Sequence, residues 1–334
     1  MKKILITGLS ACLLAVNTVA DEQLNVEAKY QQLMEGVCAE NSAPVQRSSG
    51  TSVYSWKDEN GQVHFGDRAP QNVDAEKHAL AGRKDYFDVS VSYPSGPIDS
   101  NIGEALAIGG RAIADSISRL LPAGTMAKSE IDMQVFGSRN ALMKFMYEET
   151  GSASSQADGF YLPLNNKVAV LYRGSDSYAQ QVALHESTHV FQFQNIGFMP
   201  GWVTEGMAEY FEMLEVSGSA KLVPVNQSWI AYIQNQGRLI PLQTLMTADH
   251  SAWQGSQAGQ FYASSWALFY FMMLPENRAM TQQLLADMSQ DKCDEVPDAH
   301  YMDMVDDLYR GGLEKLENDW VTWFNGSHLT PNYH

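Results

Sequence analysis

The sequence predicts an α+β fold preceded by a small β-hairpin module, and three observations carry that prediction. Short strand-like runs lie between residues 87 and 172, apolar residues flank a polar motif in a helical segment over residues 182 to 193, and helical patterns dominate after residue 202. A tight pair of alternating runs near residues 53 to 65 is separated by strong turn chemistry.

The chain opens with Met1-Lys2-Lys3, an apolar run from Ile4 to Val16, and Thr18-Val19-Ala20 before Asp21 and Glu22. That layout predicts a signal peptide over 1–20, cleaved after Ala20, and an exported protein, periplasmic or extracellular. The apolar run is shorter than the roughly 20 residues that span a bilayer core, and no later segment supplies a transmembrane helix. Leu9-Ser10-Ala11-Cys12 offers a second reading, lipid anchoring at Cys12, against which Leu13-Leu14-Ala15-Val16 is too apolar for a mature start. The formal charge of -17 repels phosphate backbones, so nucleic acid is not an expected partner. After cleavage Cys38 and Cys293 remain, either as a disulfide suited to an oxidising compartment or as two thiols.

Residues 21–52 read as a polar linker with a short helix near Val26 to Val37. In the hairpin module, 53–80, Val53-Tyr54-Ser55-Trp56-Lys57 and Gln62-Val63-His64-Phe65 flank Asp58-Glu59-Asn60-Gly61. Tyr54, Trp56, Asp58, Gly61, Phe65 and Asp67 make this segment similar to a small module of unknown function found near the start of many exported bacterial proteins. The resemblance implies an envelope location and brings no chemistry.

The main domain is expected over 85–330. Phe87 to Tyr93 alternates as a strand, Ile102 to Leu121 has helical periodicity, Ile131 to Phe136 is a strand, and Ser138 can cap a helix through Tyr147. Phe160 to Leu164 and Lys167 to Tyr172 flank Asn165-Asn166 and are expected to pair. Ser175, Asp176 and Ser177 then offer caps for a helix reaching about Gln194, which contains His185-Glu186-Ser187-Thr188-His189. Four-residue spacing puts both imidazoles on one helical face, where two nitrogens can meet one ion, and sets Glu186 beside that ion as a general base. Val182, Ala183, Leu184, Val190, Phe191 and Phe193 mark the helix as buried, a costly place for unliganded His and Glu.

A zinc site needs a third ligand. After Pro200-Gly201 a second helix reads Trp202-Val203-Thr204-Glu205-Gly206-Met207-Ala208-Glu209, and the fifteen residues between His189 and Glu205 allow a turn that sends Glu205 back past the pair. Glu209, one turn on, can accept from a ligand imidazole and fix its tautomer, or belong to a solvated acidic face; Glu212 reads as solvated.

The motif His185-Glu186-x-x-His189 with Trp202-x-x-Glu205-Gly206-x-Ala208 resembles the gluzincin metallopeptidases, the clan of thermolysin and aminopeptidase N. The resemblance implies a thermolysin-like domain, in which a small mixed sheet and an active-site helix precede a mainly helical subdomain. It also implies one Zn2+ per chain on His185, His189 and Glu205, and a peptide or protein substrate. Phe261-Tyr262-Ala263-Ser264-Ser265-Trp266 matches the helix whose Tyr stabilises the oxyanion in aminopeptidase-like members, which makes Tyr262 the candidate. The Gly-x-Met-Glu-Asn segment that captures a free amino terminus is missing upstream of His185, against a classical aminopeptidase. Lys167 to Tyr172 is the expected edge strand for an extended peptide. Ser217 to Gln236 and Thr247 to Gly259 are the expected cleft loops, the latter carrying His250, either a group that approaches the transition state or a surface histidine. Two other functions fit the same residues: a non-catalytic envelope scaffold, and a zinc hydrolase acting on a non-peptide amide or ester.

Overall fold

The computed structural model describes residues 86–334 apart from 99–101, 124, 218–219, 254, 291–296 and 327–328, together with three strands between residues 52 and 79. The expected leader and linker, Cys12, Cys38, Cys293 and the side chain of His250 lie outside the described residues.

In the N-terminal module, β1 (Ser52–Lys57) and β2 (Val63–Gly66) form the expected antiparallel hairpin, with Trp56 opposite His64. A third strand, β3 (Ala75–Ala79), pairs with the other edge of β1, so the sheet runs β2-β1-β3. Ala75-Glu76-Lys77-His78-Ala79 lacks the β-branched and aromatic residues that would have announced it.

The main domain begins with β4 (Phe87–Ser92), α1 (Ile102–Ile117) and β5 (Ser129–Phe136), a parallel pair linked by a helix. Ser138 caps α2 (Arg139–Thr150) by accepting from the Ala141 amide. The next two strands, β6 (Gly159–Leu162) and β7 (Lys167–Leu171), pair antiparallel across a 3-10 turn at Pro163–Asn165, and Asn166 closes that turn in the left-handed region at φ 49°.

The sheet order β4-β5-β7-β6 corrects one expectation. The strand beginning at Lys167 is interior, hydrogen-bonded to β5 on one side and β6 on the other, so it has no free edge to offer a peptide. The edge beside it is β6. Asp158, buried at the start of β6, accepts from Arg139, Arg173 and Tyr178, which pins the strand to the N-terminal turn of the following helix.

That helix, α3 (Asp176–Asn195), is capped by Ser175 and buried on all sides from Val182 to Phe193, between the sheet, α1 and the helix that follows. It ends where Gly197, at φ 95°, donates to the Gln192 carbonyl, a left-handed stop that only glycine adopts without strain. Pro200 then opens α4 (Gly201–Phe211), which packs alongside α3.

Helices dominate the remainder: α5 (Gln227–Gln236), α6 (Leu242–Met246), α7 (Ala258–Met272), α8 (Arg278–Gln290), α9 (Asp298–Leu308) and α10 (Gly312–Asn325). A second antiparallel sheet, β10-β9-β8, joins β8 (Glu215–Ser217), β9 (Ala220–Val223) and β10 (Asn332–Tyr333). The segments expected as cleft loops are therefore partly regular: β9 and α5 occupy the first, and a 3-10 turn at His250–Trp253 the second. Asn226 caps α5 through the Ser228 and Trp229 amides. Among the described residues no helix is long and apolar enough to cross a membrane.

The main contact of the helical half is α4 against α7. Gly206 makes it possible, since a Cβ there would lie 2.6 Å from the Ser265 carbonyl oxygen and 3.0 Å from the Phe269 Cβ. Tyr210 then meets Phe269 and Tyr270 edge-on, with centroids 5.6 and 5.4 Å apart. Gly206→Ala must push backbone against backbone, and it is expected to destabilise the fold by about 1–3 kcal/mol. Thermal unfolding tests this, and an unchanged midpoint would show that the helices separate at no cost.

Candidate metal centre

α3 and α4 bring their acidic and imidazole side chains face to face in the interior. The His185 and His189 rings, one turn apart on α3, stand 4.9 Å apart at 80°. Opposite them on α4, Glu205 places Oε2 3.7 Å from His185 Nε2 and 3.8 Å from His189 Nε2. Three donor atoms within 4.8 Å of one another, all on buried residues, form a triangle fit for one divalent ion. Bonds of 2.0–2.1 Å to a tetrahedral zinc require donor spacings of about 3.3 Å, about half an ångström less than the two carboxylate–imidazole spacings.

The buried polar atoms support that fit. His189 Nε2, Glu205 Oε2 and both carboxylate oxygens of Glu186 lack a hydrogen-bond partner in the protein. Such groups cost free energy unless something satisfies them. Asp158 shows the contrast within the same chain, a buried acid neutralised by two guanidinium groups. Among the described residues no Lys or Arg forms an ion pair with Glu186 or Glu205. Without a cation their chemistry shifts accordingly. Desolvation, then the charge of Glu212, pushes Glu186 well above the carboxylate range. Desolvation, then Glu209 and Glu186, does the same to Glu205. His189 is lowered to about 3 by desolvation and by His185, against the pull of its hydrogen bond to Gln192. A neutral imidazole is what a metal ligand needs to be, and the protons on the acids are what a cation would displace.

Glu186 follows His185 on α3 and is fully buried beside β6. Gly159 allows the approach: a Cβ there would lie 2.5 Å from Val182 Cγ1 and 3.1 Å from Glu186 Cγ. The edge strand thus runs directly past the acid.

On the far side of His185, Glu209 Oε1 lies 4.0 Å from Nδ1 and Glu212 Oε2 lies 3.6 Å from it. Glu209 Oε2 accepts from Trp229 Nε1 at 2.6 Å, and Glu212 Oε1 from Asn226 Nδ2 at 3.4 Å. Both acids are buried, which corrects the solvated reading of Glu212. The reason is α5: the segment expected to be a loop is a capped helix whose Asn226 and Trp229 cover this face of α4. The signal lay in the spacing, because Glu205, Glu209 and Glu212 share one face of a helix.

The structure therefore brings together His185, Glu186, His189, Glu205 and Glu209. Tyr262 sits in the neighbouring layer, buried near the start of α7, its ring edge-on to Trp253 at 5.6 Å. Trp253 in turn covers Gly201, at the start of α4. One functional contact went unread in the sequence: Gln192, three residues after His189, lies with Oε1 2.9 Å from His189 Nδ1.

The buried His-Glu-x-x-His helix with acidic residues from the next helix is consistent with a metal-dependent hydrolase of gluzincin type. Comparison with protein families adds two matches: a protein of unknown function, DUF1570, over residues 180–293, and a domain of unknown function, DUF4124, over residues 47–84. The first spans the site residues above from His185 to Tyr262; the second covers the N-terminal strands. No curated protein matches the chain.

Proposed function

We propose that this chain is an exported zinc-dependent peptidase in which His185, His189 and Glu205 hold the ion and Glu186 is the general base. The observation that carries the reading is the convergence of two imidazole nitrogens and one carboxylate oxygen within 4.8 Å, in a buried site, with Glu186 next along the helix. Two nitrogens and one oxygen, with a fourth position left open, is the donor set of catalytic zinc. When bound, the ion supplies Lewis acidity, making a water more acidic and a carbonyl more electrophilic.

The chain's own groups do the rest. Glu186 accepts the water proton on its carboxylate and returns it to the departing amine. Glu209 and Glu212 face the Nδ1 edge of His185, favouring the tautomer that leaves Nε2 unprotonated toward Glu205 and the ion. Tyr262 is the proposed donor to the oxyanion, supported by its place on α7, which packs against the helix of Glu205. Export is supported by the leader-like first twenty residues and by an N-terminal module similar to those of exported bacterial proteins.

Zinc-loaded protein incubated with a mixed peptide library is expected to give cleavage that a chelator stops and zinc restores. Intact peptides in the presence of bound zinc would defeat the peptidase reading. In the same assay Tyr262→Phe should keep its zinc and lose about 10²-fold in kcat; an unchanged kcat would reduce Tyr262 to a core aromatic.

A further inference from the structure

We infer that Gln192 is a positioning residue through which the second ligand helix sets the tautomer of His189 on the first. The inference rests on the metal reading of the site, but its evidence is a separate set of contacts. Gln192 is buried on α3, and its amide is used at both ends. Nε2 donates to the backbone carbonyl of Thr204 at 2.8 Å, and Oε1 lies 2.9 Å from His189 Nδ1. Thr204 is the residue immediately before Glu205 on α4.

The direction of this chain of contacts follows from elementary hydrogen-bond chemistry. A peptide carbonyl only accepts, so the amide NH2 must face Thr204, and the amide oxygen is left facing the imidazole. An amide oxygen also only accepts. His189 must therefore carry its proton on Nδ1, which leaves the Nε2 lone pair toward Glu205, where that nitrogen has no other partner in the protein. A flipped amide would set oxygen against oxygen at Thr204 and an NH2 group against Nδ1. A backbone carbonyl on α4, fixed by the helix that delivers Glu205, thus dictates which nitrogen His189 offers. The same side chain ties the two ligand helices together, so one residue couples the protonation pattern of one ligand to the position of another. The two imidazoles are held differently: His185 faces carboxylates at Nδ1, whereas His189 faces a neutral amide. A neutral acceptor orients the ring without adding a further negative charge to a site already holding four buried acids.

Two variants separate the parts of this role. Gln192→Leu removes both contacts; Gln192→Glu keeps an acceptor for Nδ1 but loses the donor to Thr204. Histidine 15N–1H correlation spectra of the zinc-free chain report the tautomer, and competition with a chromophoric chelator reports affinity for zinc alone. The native chain is expected to show His189 protonated on Nδ1. Gln192→Leu should populate the Nε2–H form and bind zinc about 10–100-fold more weakly. Gln192→Glu should restore the Nδ1–H form with an intermediate affinity, a pattern that a merely structural defect would not produce. If Gln192→Leu keeps the Nδ1–H tautomer and binds zinc within threefold of the native chain, the inference is wrong. If the native chain shows that tautomer yet binds no zinc, the metal reading fails while the contact from Thr204 to His189 stands.

Discussion

Glu186→Gln is expected to hold its zinc and lose nearly all turnover. Gln is isosteric with Glu, so packing beneath Gly159 is preserved, and His185 and His189 keep their places on the helix. What disappears is the proton acceptor. A well-placed general base contributes about 10²–10⁴-fold, and the loss should fall on kcat because the carboxylate acts on the reacting water and not on ground-state binding. The substitution has a second, opposite expected effect. Glu186 is a buried acid with neither oxygen hydrogen-bonded within the protein, so a neutral amide in its place should raise the thermal midpoint of the zinc-free chain. Activity falling while stability rises is the signature of a group kept for chemistry at a cost to the fold. Measured together, kcat, bound zinc and the unfolding midpoint decide the case: a variant retaining more than a tenth of native kcat would remove Glu186 from the mechanism.

The sequence exposed this centre because metal chemistry constrains spacing tightly. A four-residue spacing on a helix lets His185 and His189 reach one ion, and the apolar residues around them reveal that the helix is buried. The hairpin of β6 and β7 was legible for a similar reason, since Asn165-Asn166 between two short apolar runs has few other uses. What stayed hidden depended on neighbours distant in sequence. Local alternation does not say which strand ends at a sheet edge, so Lys167 to Leu171 was misplaced; its interior position follows from β5, some thirty-five residues earlier. Glu212 looked solvated because its cover comes from a helix with Ile233 as its sole buried residue, too weak a pattern to announce itself. Gln192 escaped because an amide on a helix carries no signal until the carbonyl opposite it is known.

Removing the metal should lower the thermal midpoint by about 10 °C at neutral pH, and by much less at pH 5. The size follows from linkage: zinc at a thousandfold excess over Kd adds about 4 kcal/mol, and a domain of this size shifts by about 2–4 °C per kcal/mol. The pH dependence follows from the displaced titrations. Glu186 and Glu205 hold their protons in the folded, metal-free chain to a higher pH than in the unfolded one. Between those two limits the folded state binds more protons, so stability of the metal-free chain falls as pH rises through the raised values. His189, lowered to about 3, works the other way: the unfolded state takes up the proton first, and stability falls as pH drops from about 6.5 toward 3. Above pH 6.5 only the carboxylates matter, and the metal-free chain weakens with every step upward. Zinc reverses this, because it binds the ionised acid and the neutral imidazoles and competes with protons for the former. The stabilisation it confers must therefore grow from pH 5 to pH 8. Glu205→Ala supplies the control: it removes a buried acid together with a ligand, so the zinc-free variant should be no less stable at neutral pH than the zinc-free native chain while losing most of the zinc-induced shift. Equal shifts in Glu205→Ala and the native chain would mean that zinc binds elsewhere, and the triangle between α3 and α4 would then be a cluster of buried acids and histidines with no ion to justify it.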